Sequence, residues 1–136
     1  MHFHGYQWCG DGRELRHEGV RRPTGNNADF LSSKLPPMMN GWWLHRRAQT
    51  STTLTWTDHR PAIGWLRDQY RAEPPPAGSR PALETRTVYA ENALSLGVDV
   101  VWGYWTGSGP RFAHHTVVCC PNVHWPRIPC PLGAEV

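Results

Sequence analysis

Two stretches near the C-terminal end carry the clearest apolar pattern of the chain. Val98–Trp105 and Arg111–Cys120 are rich in β-branched and aromatic residues, and the segment between them contains two glycines that suit a tight reversal. The pattern therefore predicts a β-hairpin. Apolar residues occupy both faces of these strands toward the cysteine end, so we expect a central hairpin covered on both sides, by a helix and by loops or a partner.

A second pattern, with helical spacing, occupies His59–Ala72. Thr57 or Asp58 can cap its first turn, and apolar side chains recur on one stripe from Ile63 to Tyr70. His2–Cys9 is predicted as a strand. The remaining predicted elements are a strand at Glu14–Val20, a helix at Ala28–Lys34, a hairpin of Trp42–Arg47 with Thr50–Thr57, a strand at Thr85–Tyr89 and a helical turn at Glu91–Leu96.

These elements predict an α+β fold, in which an antiparallel sheet of about five strands is packed by one main helix and joined by long loops. The length of 136 residues favours a single small domain over residues 1–136. Residues 73–81, EPPPAGSRP, are stiffened by proline and are predicted to form a surface loop between the two halves.

Composition adds a partner hypothesis but excludes few functions. The net charge is +3, which is too small to indicate a polyanion partner by itself. The chain carries 13 arginines, a single lysine and 8 tryptophans. The arginine bias is typical of a GC-rich bacterium, whereas eight large rings exceed what one small core needs, so we expect some of them on a binding surface.

The start of the chain and its hydropathy bear on location. Met1–Tyr6 has neither a basic region nor an apolar run, so no secretory signal peptide is expected. No apolar run reaches the length of a membrane-spanning helix. Four cysteines without an export signal favour a cytoplasmic protein with free or metal-bound thiols.

The C-terminal cysteines and histidine give a candidate metal site. Cys120 and His124 flank a predicted turn, and Cys130 can fold back toward them past two prolines. Cys9 from the first strand, or Cys119 across a bent strand end, is the candidate fourth ligand. Thiolate and imidazole ligands favour zinc as the cofactor. Buried unliganded thiols and a disulfide remain the alternatives.

A separate candidate ligand pair lies at the N-terminus. His2 and His4 are two residues apart, so on a strand both imidazoles point the same way, about 7 Å apart, and can reach one ion. Cys9 is at an odd-numbered position and so points to the opposite face of the strand from His2 and His4. A site that includes Cys9 and this pair therefore needs a bulge near Gly5. The alternative is two exposed histidines without a ligand.

Paired arginines beside tryptophans form the third candidate site. Arginine binds phosphate and exposed aromatic rings stack on bases, which is the recipe for single-strand binding. The same side chains also suit a protein partner. The candidate partner-binding residues are Trp42, Trp43, Arg46, Arg47, Arg21 and Arg22.

The function predicted first is a small non-enzymatic module that presents tryptophan and arginine to a macromolecular partner. A protein partner is favoured over nucleic acid and no membrane is expected; a bacterial mobile-element or phage accessory protein fits this composition. The alternatives are a zinc-binding protein with the C-terminal cysteine and histidine site, and a nucleic-acid-binding protein. The sequence contains no assembled catalytic motif, so an enzyme is disfavoured.

Overall fold

The central hairpin and the first strand form one antiparallel sheet. The computed structural model describes residues 1–24 and 27–133. Within them the sheet has four strands in the order β2-β1-β4-β3, rather than the five expected. Strand bounds are β1 His2–Asp11, β2 Thr55–Trp56, β3 Val100–Trp105 and β4 Arg111–Cys120. The α+β class is therefore as the sequence predicts.

Two long helices, rather than the one main helix expected, cover one face of the sheet. Helix α2 spans His59–Ala72, with the bounds expected from its pattern, and Asp58 caps it by accepting from the backbone N–H of Arg60. Helix α3 spans Leu83–Ser95 and packs against α2 and β3. A short helix, α1, spans Ala28–Ser32. The core under α2 and α3 consists of Phe3, Ala62, Ile63, Leu66, Ala90, Leu94, Val100, Trp102, Tyr104, Ala113, Val117 and Cys119.

Helix α3 corrects two sequence predictions, the strand at Thr85–Tyr89 and the separate turn at Glu91–Leu96. The β-branched run does favour a strand. However, Ala90 and Leu94 lie one helical turn apart and are both buried, so tertiary packing outweighs the local preference. The hydroxyl of Thr87 donates to the carbonyl of Leu83 one turn earlier, which a helix accommodates.

The other face of the sheet is covered by loops and short 3₁₀ helices, here called the loop layer (residues 12–24, 27–54 and 121–133). Its small core consists of Tyr6, Trp43, Leu44 and Val118, with Ile128 packed against them. The central hairpin is thus covered on both faces, as its apolar pattern predicts. The 3₁₀ helices of this layer are Gly12–Arg16, Glu18–Arg21, Asn40–His45, Arg47–Gln49 and Thr52–Leu54.

The loop layer replaces the predicted strand at Glu14–Val20 and the predicted hairpin of Trp42–Arg47 with Thr50–Thr57, which leaves only the two-residue β2. Residues three apart share one face of a 3₁₀ helix. Trp43 and Arg46 accordingly point inward together, and the Arg46 guanidinium lies 5.1 Å from the Trp43 ring centroid. A strand would have placed these two side chains on opposite faces.

Residues 73–81 run from the end of α2 to the start of α3, and most of them are exposed. Glu73 at their start forms an ion pair with Arg111, the first residue of β4. None of the helices in the described ranges combines the length and the hydrophobicity that a bilayer crossing requires.

Candidate metal site

Strand register brings the two N-terminal histidines to the last residue of β4. His2 lies directly opposite Cys120 in the β1–β4 pair, and His4 lies two residues further along β1. Cross-strand partners and residues two apart share a face, so these three side chains project into the loop layer together. All three residues are buried, with 7% or less of their surface exposed.

Cys130 completes the group because the chain folds back after β4. Asn122 fixes the start of this return: its amide donates to both carboxylate oxygens of Asp99, and its Oδ1 accepts from the backbone N–H groups of His124 and Trp125. Further on, Ile128 packs on the small core of the loop layer. These contacts direct the returning segment so that Cys130 lies against His2 and His4 at the start of β1.

The four candidate ligand atoms lie within 4.8 Å of one another. Cys130 Sγ is 3.1 Å from His2 Nε2 and 3.7 Å from His4 Nε2. Tetrahedral zinc with two sulfur and two nitrogen ligands spaces those atoms by about 3.3–3.8 Å. The cluster of His2, His4, Cys120 and Cys130 therefore needs only small side-chain movements to surround one ion.

A hydrogen-bond chain fixes the tautomer of His4. The hydroxyl of Thr55 donates its single hydrogen to the carbonyl of Ser51 at 2.7 Å. The same oxygen lies 2.8 Å from His4 Nδ1, so it can only accept from an Nδ1–H group. His4 Nε2 is then left with a free lone pair toward Cys130. This outer-shell arrangement is the one that metal-bound histidines use.

Burial favours the uncharged forms of His2, His4 and Cys120 without a metal. Burial, and then the neighbouring His2, lowers the pKa of His4 to about 4. Burial, and then the charge of the N-terminus, lowers the pKa of His2. Burial, and then Cys130, raises the pKa of Cys120 to about 12. Neutral imidazoles are ready metal ligands, and a bound cation favours the thiolate form that this burial disfavours.

The structure brings together only part of the ligand set that the sequence indicates. Cys120 and Cys130 are members, but Cys9 and His124 are not. Cys9 has the parity of Phe3 and packs against the core under the helices, on the other face of the sheet. The backbone of His124 is held by Asn122 and its side chain is exposed. His2 and His4, which the sequence treats as a separate pair, take their places.

The predicted partner-binding residues divide into interior and surface groups, which corrects part of that prediction. Trp43 and Arg46 each expose only 1% of their surface. Arg21 is half-buried and donates to the carbonyls of Pro36 and Leu15. Arg22 and Arg47 are exposed, and Trp42 is half-buried against Trp125.

Burial of Arg46 was not foreseen, and its contacts explain it. Its guanidinium donates to the carbonyls of Phe30, Leu35 and Val20. It also stacks over the Phe30 ring at 4.5 Å. The side chain thus ties together three segments of the loop layer, and it is unavailable to a phosphate or a partner carboxylate.

A further buried histidine outside the cluster, His115, lies under the helices. The hydroxyl of Tyr104 donates to the carbonyl of Glu73, so it accepts from His115 Nε2 at 3.1 Å. His115 Nδ1 is then a buried acceptor that lacks a hydrogen-bond partner among the described residues. Burial lowers the pKa of His115 to about 4.

Comparison of the chain with protein-family models, with curated proteins and with solved structures gave no match.

Proposed function

We propose that this protein is a small zinc-binding domain whose zinc ion has a structural role. The observation that carries the proposal is the convergence of His2, His4, Cys120 and Cys130, whose ligand atoms lie within 4.8 Å of one another. Two sulfur and two nitrogen ligands in a tetrahedral arrangement favour zinc over calcium, magnesium or manganese, which prefer oxygen.

A structural role follows from the ligand number. Catalytic zinc sites keep one coordination position for water or substrate, whereas structural sites use four protein ligands. Here four protein ligands are present and three of them are buried. The ion would join the start of β1, the end of β4 and the returning C-terminal segment, and so link segments that are distant along the chain.

Metal content of the purified protein tests the proposal. Native mass spectrometry together with elemental analysis is expected to give one zinc per chain. His4→Ala and Cys130→Ser should each abolish stoichiometric zinc, because a closed site loses one of its four ligands.

The matched controls are the two sequence candidates that lie outside the cluster. His124→Ala and Cys9→Ser should retain zinc, since neither side chain belongs to the cluster. Wild-type protein that is fully folded and metal-free after expression in zinc-supplemented medium would contradict the proposal. So would loss of zinc from His124→Ala.

A second candidate function, a protein-binding module, is favoured by edge strand β3. On the face of β3 opposite the helices, Val101 and Trp105 expose 47% and 52% of their surface. A groove of about 260 Å³ between β3 and α3 adds the exposed Tyr89 to this apolar surface. Apolar side chains beside an unpaired strand edge suit strand addition by a partner protein.

Exposed and buried tryptophan and arginine side chains differ in how well they could contact a partner protein. Trp105 at this edge is better placed for contact than Trp43, which is interior. Nucleic-acid binding loses support because Arg21 and Arg46 donate to backbone carbonyls. A partner captured by the wild type should be lost with Val101→Glu and retained with Val123→Glu, an equally apolar exposed position elsewhere. Equal capture by both variants would exclude the β3 edge.

A further inference from the structure

The two candidate zinc thiols, Cys120 and Cys130, differ in solvent exposure and in the secondary structure around them. This difference affects how each could be oxidised. Cys120 is the last residue of β4 and exposes 3% of its surface. Cys130 is only partly buried and lies in residues 121–133, which contain no helix or strand among those described. One thiol is therefore fixed by the sheet, whereas the other is partly exposed and lies outside any helix or strand.

We propose that Cys120 and Cys130 form an oxidation site, in which hydrogen peroxide converts the zinc-bound dithiolate into a disulfide and releases the metal. This inference rests on the proposed zinc site. Both sulfur atoms belong to the cluster whose members lie within 4.8 Å. A disulfide requires about 2.0 Å, so closure needs the two sulfur atoms to approach by up to about 3 Å.

The reaction balances with the peroxide as the oxidant. Cys130 thiolate attacks one peroxide oxygen, the O–O bond breaks, and a sulfenic acid forms while hydroxide leaves. Cys120 thiolate then attacks that sulfur and displaces the second hydroxide. Two thiolates have lost two electrons, and two protons from solvent convert the hydroxides to water. Zinc leaves because a disulfide offers no thiolate ligand.

The other two cysteines are excluded by their positions. Cys119 is adjacent to Cys120, but neighbouring residues of a strand point to opposite faces, and Cys119 is fully buried under the helices. Cys9 packs against the same core and pairs with Ala113 near the opposite end of β4. Neither thiol faces the cluster.

Titration of the zinc-loaded protein with hydrogen peroxide tests the proposal. Zinc release is followed with a chromogenic chelator, thiols are counted after denaturation, and the products are mapped as non-reduced peptides. We expect one zinc released for every two thiols lost, and a single linkage between Cys120 and Cys130. Reduction with a phosphine should restore both thiols and zinc binding.

Cysteine variants test whether Cys130 is oxidised first and Cys120 reacts second, and distinguish this sequence from unspecific thiol oxidation. In Cys120→Ser, dimedone should trap a sulfenic acid at Cys130, because the second thiol is missing. Cys9→Ala and Cys119→Ala should oxidise and release zinc as the wild type does.

Three outcomes would overturn the oxidation site: zinc retained with all four thiols intact, a disulfide that includes Cys9 or Cys119, or release of zinc without a disulfide. A purified protein that contains no zinc contradicts the proposed function instead. The linkage of Cys120 to Cys130 is then scored on the metal-free protein, so the two failures are distinguishable.

Discussion

Replacement of Arg46 by lysine is expected to destabilise the protein severely, although it conserves the positive charge. Arg46 exposes 1% of its surface and donates through Nε, Nη1 and Nη2 to carbonyls of three separate segments. Burial, and then the nearby Arg21, lowers the pKa of Arg46 to about 10, which still leaves the guanidinium charged at neutral pH. The charge is compensated by carbonyl dipoles and by the Phe30 and Trp43 rings.

The magnitude follows from the hydrogen bonds that lysine cannot replace. An ammonium is compact and lacks the planar fork that reaches carbonyls in several directions, so Arg46→Lys keeps one of the three bonds at best. Each hydrogen bond to a charged group contributes about 1.5–3 kcal/mol, and the freed carbonyls of the loop layer stay buried. We therefore expect the free energy of unfolding to fall by about 3–5 kcal/mol.

The assay is urea denaturation at fixed free zinc, followed by tryptophan fluorescence and circular dichroism, since a bound metal adds its own stabilisation. Arg47→Lys is the matched control: Arg47 is the adjacent residue and is exposed, so its substitution should change stability by about 0.5 kcal/mol or less. An Arg46→Lys protein within about 1 kcal/mol of the wild type would refute the reasoning. It would mean that the carbonyl contacts of the guanidinium do not stabilise the loop layer.

Three further measurements probe the zinc site and a buried histidine. Thr55→Val should weaken zinc binding by about 10-fold or more in a competitive chelator titration, because His4 Nδ1–H loses its acceptor, whereas Thr52→Val at an exposed position should leave the affinity unchanged. Removal of zinc by a strong chelator should lower the melting temperature of the wild type and leave that of Cys130→Ser unaffected; identical shifts in both would contradict a single site. The pKa of His115 is lowered from 6.5 to about 4 in the folded protein. Between these pH values the unfolded chain binds a proton at His115 and the folded chain does not, so the free energy of unfolding decreases as pH falls from about 6.5 to 4. Over that range the wild type should lose about 3 kcal/mol more than His115→Gln, and parallel curves of unfolding free energy against pH would show that His115 titrates normally.

Elements whose local pattern agrees with their packing could be predicted from the sequence. The bounds of β4 and α2 match their sequence patterns, because apolar residues on both faces of β4 fit the two cores that it meets and the apolar stripe of α2 fits the core under the helices. Helix α3 could not be found this way, since its central residues favour strands when considered alone. Its helical state depends on α2 and the sheet, which bury Ala90 and Leu94 together.

The candidate metal site was predicted in pieces, for a similar reason. The alternation of side chains along a strand identified His2 and His4 as one pair. The turn after β4 suggested a second group, in which Cys120 and His124 converge and Cys130 folds back toward them. Their union depends on the register that places His2 opposite Cys120, which is a property of β1 and β4 together. The choice of His124 failed because spacing along the chain does not reveal that Asn122 holds the backbone there and leaves the imidazole outside.

The loop layer explains why a small domain would need both a buried arginine and a metal. Helices and strands satisfy their own backbone groups, but the irregular segments over the Tyr6 face of the sheet do not. Their apolar core is small, so side chains must supply the missing cross-links. Arg46 cross-links the loop layer through the carbonyls of Val20, Phe30 and Leu35. The proposed zinc would cross-link the start of β1, the end of β4 and the segment that carries Cys130. Because the two devices act on different segments of one layer, loss of zinc should loosen the C-terminal return while the Arg46 contacts persist.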